Sequence, residues 1–392
     1  MHSIKRRRLN IHAALKAKIQ HMLTIPVPSL ILSLSLSLSL SLSLALPAAQ
    51  ADAISFEPVT PLAPGQVLDL PHDFGAHPDF KTEWWYATGW LTTQDGKSLG
   101  YQVTFFRSAT GHDRDNPSAF APTQIIIGHA ALSDTAEGKL LHEQKNARAG
   151  FGLAYAKVGN TDLKLDDWRM QRGLDGSYTI TLATPDFSLA LRLKPTQPVL
   201  LQGERGYSRK GTGAQQASYY YSEPQLATSG SVTRKGKPAQ RVTGTTWLDH
   251  EWSSQALAPD AAGWDWVGAN LDNGSALMAF QVRSKTGAKI WAHATLRDVA
   301  GKVTQYTPQQ VSFTPQAWWR SPRTQVRYPV STLLRTGSTA WLIKPMQDDQ
   351  ELDARRTTGA LYWEGAVTIE RDGVPAGRAY LELTGYDVPI AL

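Results

Sequence analysis

Trp84-Trp85-Tyr86-Ala87-Thr88-Gly89-Trp90-Leu91-Thr92-Thr93-Gln94-Asp95-Gly96, continued by Tyr101-Gln102-Val103-Thr104-Phe105-Phe106-Arg107, has the form of a β-hairpin. Aromatic and β-branched residues fill both arms, and Asp95-Gly96 supplies the left-handed conformation that a tight turn needs. The outline returns later. Trp264-x-Trp266 with Leu271 matches the offsets of Trp84-x-Tyr86 with Leu91, and Asn273-Gly274 and Phe280-Gln281-Val282-Arg283 follow in the same order. Two hairpins of one design imply two β domains of one design, joined in the loop Ser253 to Ala262, which holds Pro259 and four Ala residues.

The rest of the chain agrees. Turn dipeptides recur at Glu137-Gly138, Gly159-Asn160, Asp175-Gly176, Lys235-Gly236, Thr286-Gly287, Ala300-Gly301 and Asp372-Gly373. Short runs rich in Val, Thr, Tyr, Phe and Trp lie between them: Gln124 to Leu132, Tyr178 to Leu182, Phe187 to Leu193, Leu277 to Arg283 and Ala379 to Leu383. A 3.6-residue period predicts only a short helix near Pro315 to Arg320. The expected architecture is all-β, as antiparallel sandwiches or up-and-down barrels. A leader occupies 1–53, a first domain 54–255 and a second 256–392.

The leader is read from a basic head, the Ser–Leu run Ser29 to Leu46, and small residues ending at Ala51-Asp52-Ala53. It predicts a cleaved signal peptide and an exported, periplasmic or secreted, soluble chain with no later membrane span. The formal charge of +6 is concentrated there. Lys5, Arg6, Arg7, Arg8, Lys16 and Lys18 against Asp52 give +5 in residues 1–53, leaving +1 for the other 339 residues (392 − 53). A surface so close to neutral offers a phosphate backbone no field, so no nucleic-acid partner is expected.

Several chemistries are excluded by what is missing. With no cysteine there are no disulfides, thiolate metal sites or cysteine nucleophiles. There is no G-x-S-x-G elbow. Gly96-Lys97-Ser98 lacks a P-loop because Leu91 stands where its first Gly belongs, and His142-Glu143 does not extend to H-E-x-x-H. No cofactor is implied, and no metal, since His129, His250 and His293 are too far apart in sequence to form a ligand set by spacing.

The densest polar and aromatic segment is Trp247-Leu248-Asp249-His250-Glu251-Trp252, followed by Gly263-Trp264-Asp265-Trp266. On a strand, His250 and Trp252 share one face, while Trp247, Asp249 and Glu251 share the other. A histidine among tryptophan faces suits protonation of an apolar substrate, because aromatic faces stabilise a developing cation. It suits equally a buried hydrogen bond in an aromatic interface. Glu83 in Glu83-Trp84-Trp85-Tyr86 is an internal acid or the ion-pair partner of Arg107. Tyr219-Tyr220-Tyr221 alternates faces and is explained by sheet packing alone.

Taken together, Glu83-Trp84-Trp85-Tyr86, Thr104-Phe105-Phe106-Arg107, His129-Ala130-Ala131-Leu132, Asp249-His250-Glu251-Trp252-Ser253-Ser254, Gly263-Trp264-Asp265-Trp266 and Tyr380-Leu381-Glu382-Leu383-Thr384-Gly385-Tyr386 resemble the AttH and carotenoid-hydratase-like secreted proteins. The resemblance spans nearly the whole mature chain and implies two tandem lipocalin-like barrels. It further implies an apolar, isoprenoid- or polyketide-like ligand, with hydratase- or isomerase-type acid catalysis, a carrier role, or the hydrolase activity often attached to the group. The hydratases pair His-x-Trp with a later Tyr-x-Asp that carries the acid. His250-Glu251-Trp252 matches the first part, but Ala276 to Val282 lacks the second, leaving Asp265 or Asp249 as substitutes. The expected site is therefore catalytic His250, Asp265 and Asp249, with Trp252, Trp264, Trp266, Glu83, Trp84, Trp85, Tyr86 and Arg107 binding the ligand in a monomer.

Overall fold

The strand Tyr178–Ala183 turns Tyr178, Ile180 and Leu182 inward and Thr179, Thr181 and Ala183 to solvent. This is the pattern of an antiparallel sheet with one wet face. Thr82–Thr93 and Ala276–Ser284 are instead buried on both faces, so each must be covered twice. That contrast locates the centre of the molecule. In the computed structural model, which describes residues 60–112 and 116–390, these strands belong to two different antiparallel sheets whose outer faces meet. The expected signal peptide lies outside the described residues.

The first sheet has thirteen strands between Thr82 and Ser253, and the second has ten between Ala261 and Thr384. Both follow one plan. The opening strand Thr82–Thr93 lies between its hairpin partner Ser98–Ala109 and the last strand of its sheet, Gln240–Ser253. Ala261–Leu271 likewise lies between Ala276–Ser284 and the last strand, Val374–Thr384. Bringing first and last strands together curls a sheet into a barrel. In the first sheet Ala154–Ala156 and Asp162–Leu165 come up against Gln124–Ser133 and nearly close it. The fold is all-β and lipocalin-like, and the only helical element among the described residues is a 3-10 turn at His72–Phe74.

The nine turn dipeptides read from the sequence all place their glycine in the left-handed region, from φ 69° at Gly138 to 86° at Gly373. The helix expected near Pro315 to Arg320 is not formed. Those residues end the strand Val311–Arg320, and two register shifts, at Pro315/Ala317 and Ala317/Trp319, break the period of two along it. A bulged strand therefore mimicked a helical spacing.

Each barrel has its own core, with Trp85, Tyr101, Trp168 and Tyr178 in the first and Tyr328, Trp341 and Trp363 in the second. A third apolar cluster fills the seam between the sheets: Tyr86, Trp90, Tyr220, Trp247, Trp266, Phe280 and Tyr380. Polar atoms in the seam are paired across it. Trp90 Nε1 donates to the Ala379 carbonyl at 2.9 Å, and Trp266 Nε1 to the Tyr220 hydroxyl at 3.1 Å. Gly100 permits the close approach, because a Cβ there would lie 2.4 Å from the Ala366 methyl.

Candidate functional site

Two polar clusters stand back to back on the strands Thr82–Thr93 and Gln240–Ser253, separated by the alternation of side chains. On the face turned into the first barrel, Glu83 is a fully buried carboxylate. It accepts hydrogen bonds from His77 Nδ1 (2.7 Å), His250 Nε2 (2.8 Å), Arg107 Nε (2.8 Å) and the His77 backbone N–H. Burial alone would raise its pKa, but the bonds from His250 and His77 and the Arg107 charge hold it far below the usual carboxylate range. Burial pushes the His250 imidazole down to about 4 against the pull of Glu83, so it is neutral, and its Nδ1 accepts from the Tyr221 hydroxyl at 3.0 Å. Trp85 stacks on His250 at 4.4 Å, and Trp252 stacks on His77 at 3.7 Å. His250 is completely buried.

His77, Glu83 and His250 also form the group of ligand-type side chains whose donor atoms lie within 4.8 Å of one another among the described residues. The same Glu83 oxygen already takes both ring nitrogens, and the Arg107 guanidinium holds the other. A cation entering here would have to displace two ring protons beside a fixed positive charge. The chemistry is that of a hydrogen-bonded ion pair. His129 and His293 lie elsewhere, bonded to Thr357 and Thr295.

The opposite face of the same strands opens on a cavity of about 310 Å³ in the seam. Half-buried Trp84, Phe106, Ile127, Leu257 and Trp264 line its outer part together with Thr82, Ser108, Thr357 and Thr358, and its depth carries Tyr86, Tyr220, Trp266 and Phe280. Four carboxyl side chains face this aromatic space: Asp249, Glu251, Glu364 and Glu382. Lys210 balances one of them, 2.9 Å from Glu251 and lying over the Tyr220 and Phe280 rings. Asp249 accepts from Tyr220 (2.8 Å), Ser222 (2.5 Å) and Trp247 Nε1 (2.7 Å). Burial nevertheless pushes its pKa up to about 7.

Glu364 and Glu382 have much weaker support. Glu364 takes only a long 3.5 Å contact from the Tyr86 hydroxyl. Its carboxyl is driven well above the ordinary range by burial and then by the neighbouring Glu382. Burial raises Glu382 to about 8, opposed by Trp264 and reinforced by the charges of Glu251 and Asp249. Glu382 borders the open space of the cavity and is half-buried. Burial in the aromatic cavity favours the protonated form of both groups.

The residues singled out from the sequence are therefore distributed over three surfaces. Asp249, Trp84, Tyr86, Trp264 and Trp266 line the seam cavity, which Glu83 and Arg107 touch from one end. His250, Trp252 and Trp85 lie on the barrel side of the wall. Asp265 points into the second barrel, where Arg283 Nε (2.9 Å), Gln281 Nε2 (2.7 Å) and the Tyr386 hydroxyl (2.9 Å) consume its oxygens. Of the three catalytic candidates, only Asp249 meets the cavity. Sequence reasoning missed Glu364, Glu382, Lys210 and His77, and set Tyr220 aside. The signal for Glu382 was present in Tyr380-Leu381-Glu382-Leu383, where a carboxylate replaces an apolar residue on a face shared with Tyr380.

Comparison with solved structures places this geometry. A crystal structure of an AttH candidate from Nitrosomonas europaea is 61% identical, with a TM-score of 0.79, covering 83% of this chain and 99% of its own. Kievitone hydratase from Nectria haematococca shares the fold at 14% identity, with a TM-score of 0.64 over 84% of this chain and 96% of that one. CghA in complex with Sch210972 shares it at 12% identity and a TM-score of 0.51 over 78% and 89%. No curated protein matches the sequence. The family model described as AttH-like matches residues 61–386, which takes in both sheets and the whole apolar cluster of the seam, and the chain belongs to the AttH-like family.

Proposed function

We propose that this chain is an exported protein that takes a neutral, apolar molecule of isoprenoid or polyketide type into the seam cavity. There it protonates a carbon–carbon double bond, giving hydratase- or isomerase-type chemistry. The observation that carries this reading is the cross-strand pair Glu364 and Glu382, whose acid forms burial favours, in a cavity walled by Trp264, Trp266, Tyr86 and Phe280. A carboxylic acid with a pKa near the working pH is both present in its acid form and strong enough to give up its proton.

Glu382 gives its proton to one alkene carbon, a C–H bond forms, and the positive charge appears on the more substituted carbon, facing aromatic rings that stabilise it. Water then adds, forming the C–O bond, and its proton passes to the Asp249 carboxylate. Loss of a neighbouring C–H proton to the Glu382 carboxylate, with the C–H electron pair forming the new double bond, instead gives the isomerised alkene and restores the acid. Glu364, opposite Glu382, is the second acid, its carboxyl raised by burial and by the charge of Glu382. The name of kievitone hydratase, whose fold the chain shares, supports the hydration branch.

The test begins with the mature protein purified from its export compartment and extracted with organic solvent, the extract being identified by mass spectrometry. The molecule found, or its dehydrated form, is then offered to native protein and to Glu382→Gln. Turnover that falls by about 10²- to 10⁴-fold in the variant supports acid catalysis. Stoichiometric binding by the native protein with no product would make the chain a carrier.

A further inference from the structure

Three rungs of the first hairpin run from the outer part of the seam cavity to its acids. Thr82, Trp84 and Tyr86 follow one another on one face of the opening strand, and Ser108, Phe106 and Thr104 are their direct cross-strand partners. All six border the cavity. Exposure falls along both strands, since Thr82, Trp84, Ser108 and Phe106 are half-buried while Tyr86 and Thr104 are buried. A hydroxyl rung therefore lies outermost, with an aromatic rung behind it. In the deepest rung the Tyr86 hydroxyl contacts Glu364, the cross-strand partner of Glu382, at 3.5 Å.

The outermost rung has hydrogen-bonding capacity to spare. Thr82 Oγ1 donates to the Ser253 carbonyl at 3.2 Å, and Ser108 Oγ makes only a long 3.5 Å contact with the Ala109 carbonyl. Neither oxygen receives a donor among the described residues, so each has lone pairs to offer. Thr357 and Thr358 line the outer part from the second sheet, but they are already bonded to His129 and Tyr362.

The rungs also set a length. Thr82 and Tyr86 stand four residues apart on one strand, about 13 Å at about 3.3 Å per residue, which is the reach of roughly ten to twelve bonds of an extended chain. Resting on the acid-catalysis reading, we propose that the ligand is an amphipathic alkenol, with its hydroxyl held at Thr82 and Ser108, its chain packed on Trp84 and Phe106, and its reacting double bond about ten bonds from the oxygen, at Glu382. An alcohol can donate to the Thr82 oxygen, which an ionised carboxyl head cannot.

Farnesol, whose last double bond lies about ten bonds from its oxygen, and farnesyl methyl ether, which keeps the chain but has no proton to donate, test the rim by displacement of Nile red. Native protein is expected to bind the alcohol about tenfold tighter than the ether. The double variant Thr82→Val with Ser108→Ala should erase that preference, and each single substitution, which serves if the double variant does not fold, should shrink it severalfold. Equal binding of the two probes by native protein, or a preference unchanged in the variants, overturns the proposal. Product analysis reads the length. Native protein should act on farnesol at its last double bond, and about tenfold more slowly on geraniol, whose last double bond lies about four bonds nearer the oxygen. Geraniol turned over as fast, or no product from farnesol, overturns the length. No preference for the alcohol, with Glu382→Gln inactive, overturns the rim and leaves acid catalysis standing. A preference for the alcohol, with Glu382→Gln fully active, overturns acid catalysis and leaves the rim standing.

Discussion

Glu364 and Glu382 are direct cross-strand partners on the antiparallel strands Ala360–Arg371 and Val374–Thr384, both facing the seam cavity. Like charges placed opposite each other in a sheet repel, and here the repulsion occurs inside an aromatic wall. The arrangement is tolerable only with at least one proton shared between them. It stores acidity at a position where no ion pair is available to relieve it.

This arrangement gives stability a defined pH dependence. The folded Glu382 pKa, about 8, exceeds the ordinary 4.5, so between these values the folded state holds a proton that the unfolded chain has released. The contribution is fully present below about pH 4.5 and is lost as pH rises through 8. The melting temperature should therefore fall from pH 5 to pH 8, and calorimetry of Glu382→Gln should show a flatter profile over that range.

Glu83 predicts the opposite slope. Its pKa is depressed by its histidine and arginine partners, so its contribution is present above the ordinary carboxylate value and lost as pH falls towards its folded value. Glu83→Gln leaves the Arg107 guanidinium buried without its counter-charge and should cost about 3–5 kcal/mol. Urea denaturation at pH 7 measures this, and a change under 1 kcal/mol would be evidence against the hub.

His250 is a positioning residue for that hub rather than a wall of the cavity. His250→Ala should lower the melting temperature by several degrees. Binding of the neutral dye Nile red to the surviving folded protein should be unchanged. Loss of dye binding at full stability would place His250 at the ligand.

Trp266 lines the seam cavity. Trp266→Ala should weaken Nile red binding by about tenfold, equivalent to ~1.4 kcal/mol. Trp318→Ala, at a half-exposed position on the second sheet, should leave it unaltered. Fluorescence titration distinguishes the two.

Local chemistry made much of the fold legible in the sequence. Glycine turns set hairpin ends, and period-two runs set strands, so Tyr178 to Leu182 and Phe187 to Leu193 were readable as they stand. Alternation also separated His250 and Trp252 from Asp249 and Glu251 correctly. It could not say which face would border a cavity, because both are buried, one by a barrel core and one by the opposing sheet. Glu364 and Glu382 were hidden for a related reason. Each is a single carboxylate in a strand, an unremarkable solvent-facing residue until the second sheet is laid against the first and brings both to Asp249, more than 100 positions earlier in the sequence. Asp265 drew attention by standing between two tryptophans, but the same alternation that sends those rings into the seam sends Asp265 the other way, onto Arg283.

The most direct measurement is the titration of the Glu382 carboxyl itself, by ¹³C NMR of protein labelled at the glutamate side-chain carboxyl carbon, with assignment from Glu382→Gln. A resonance that moves with a midpoint near pH 8 and vanishes in the variant is the predicted result. If every glutamate carboxyl has finished ionising by pH 6, the cavity holds no acid at neutral pH and the account is contradicted.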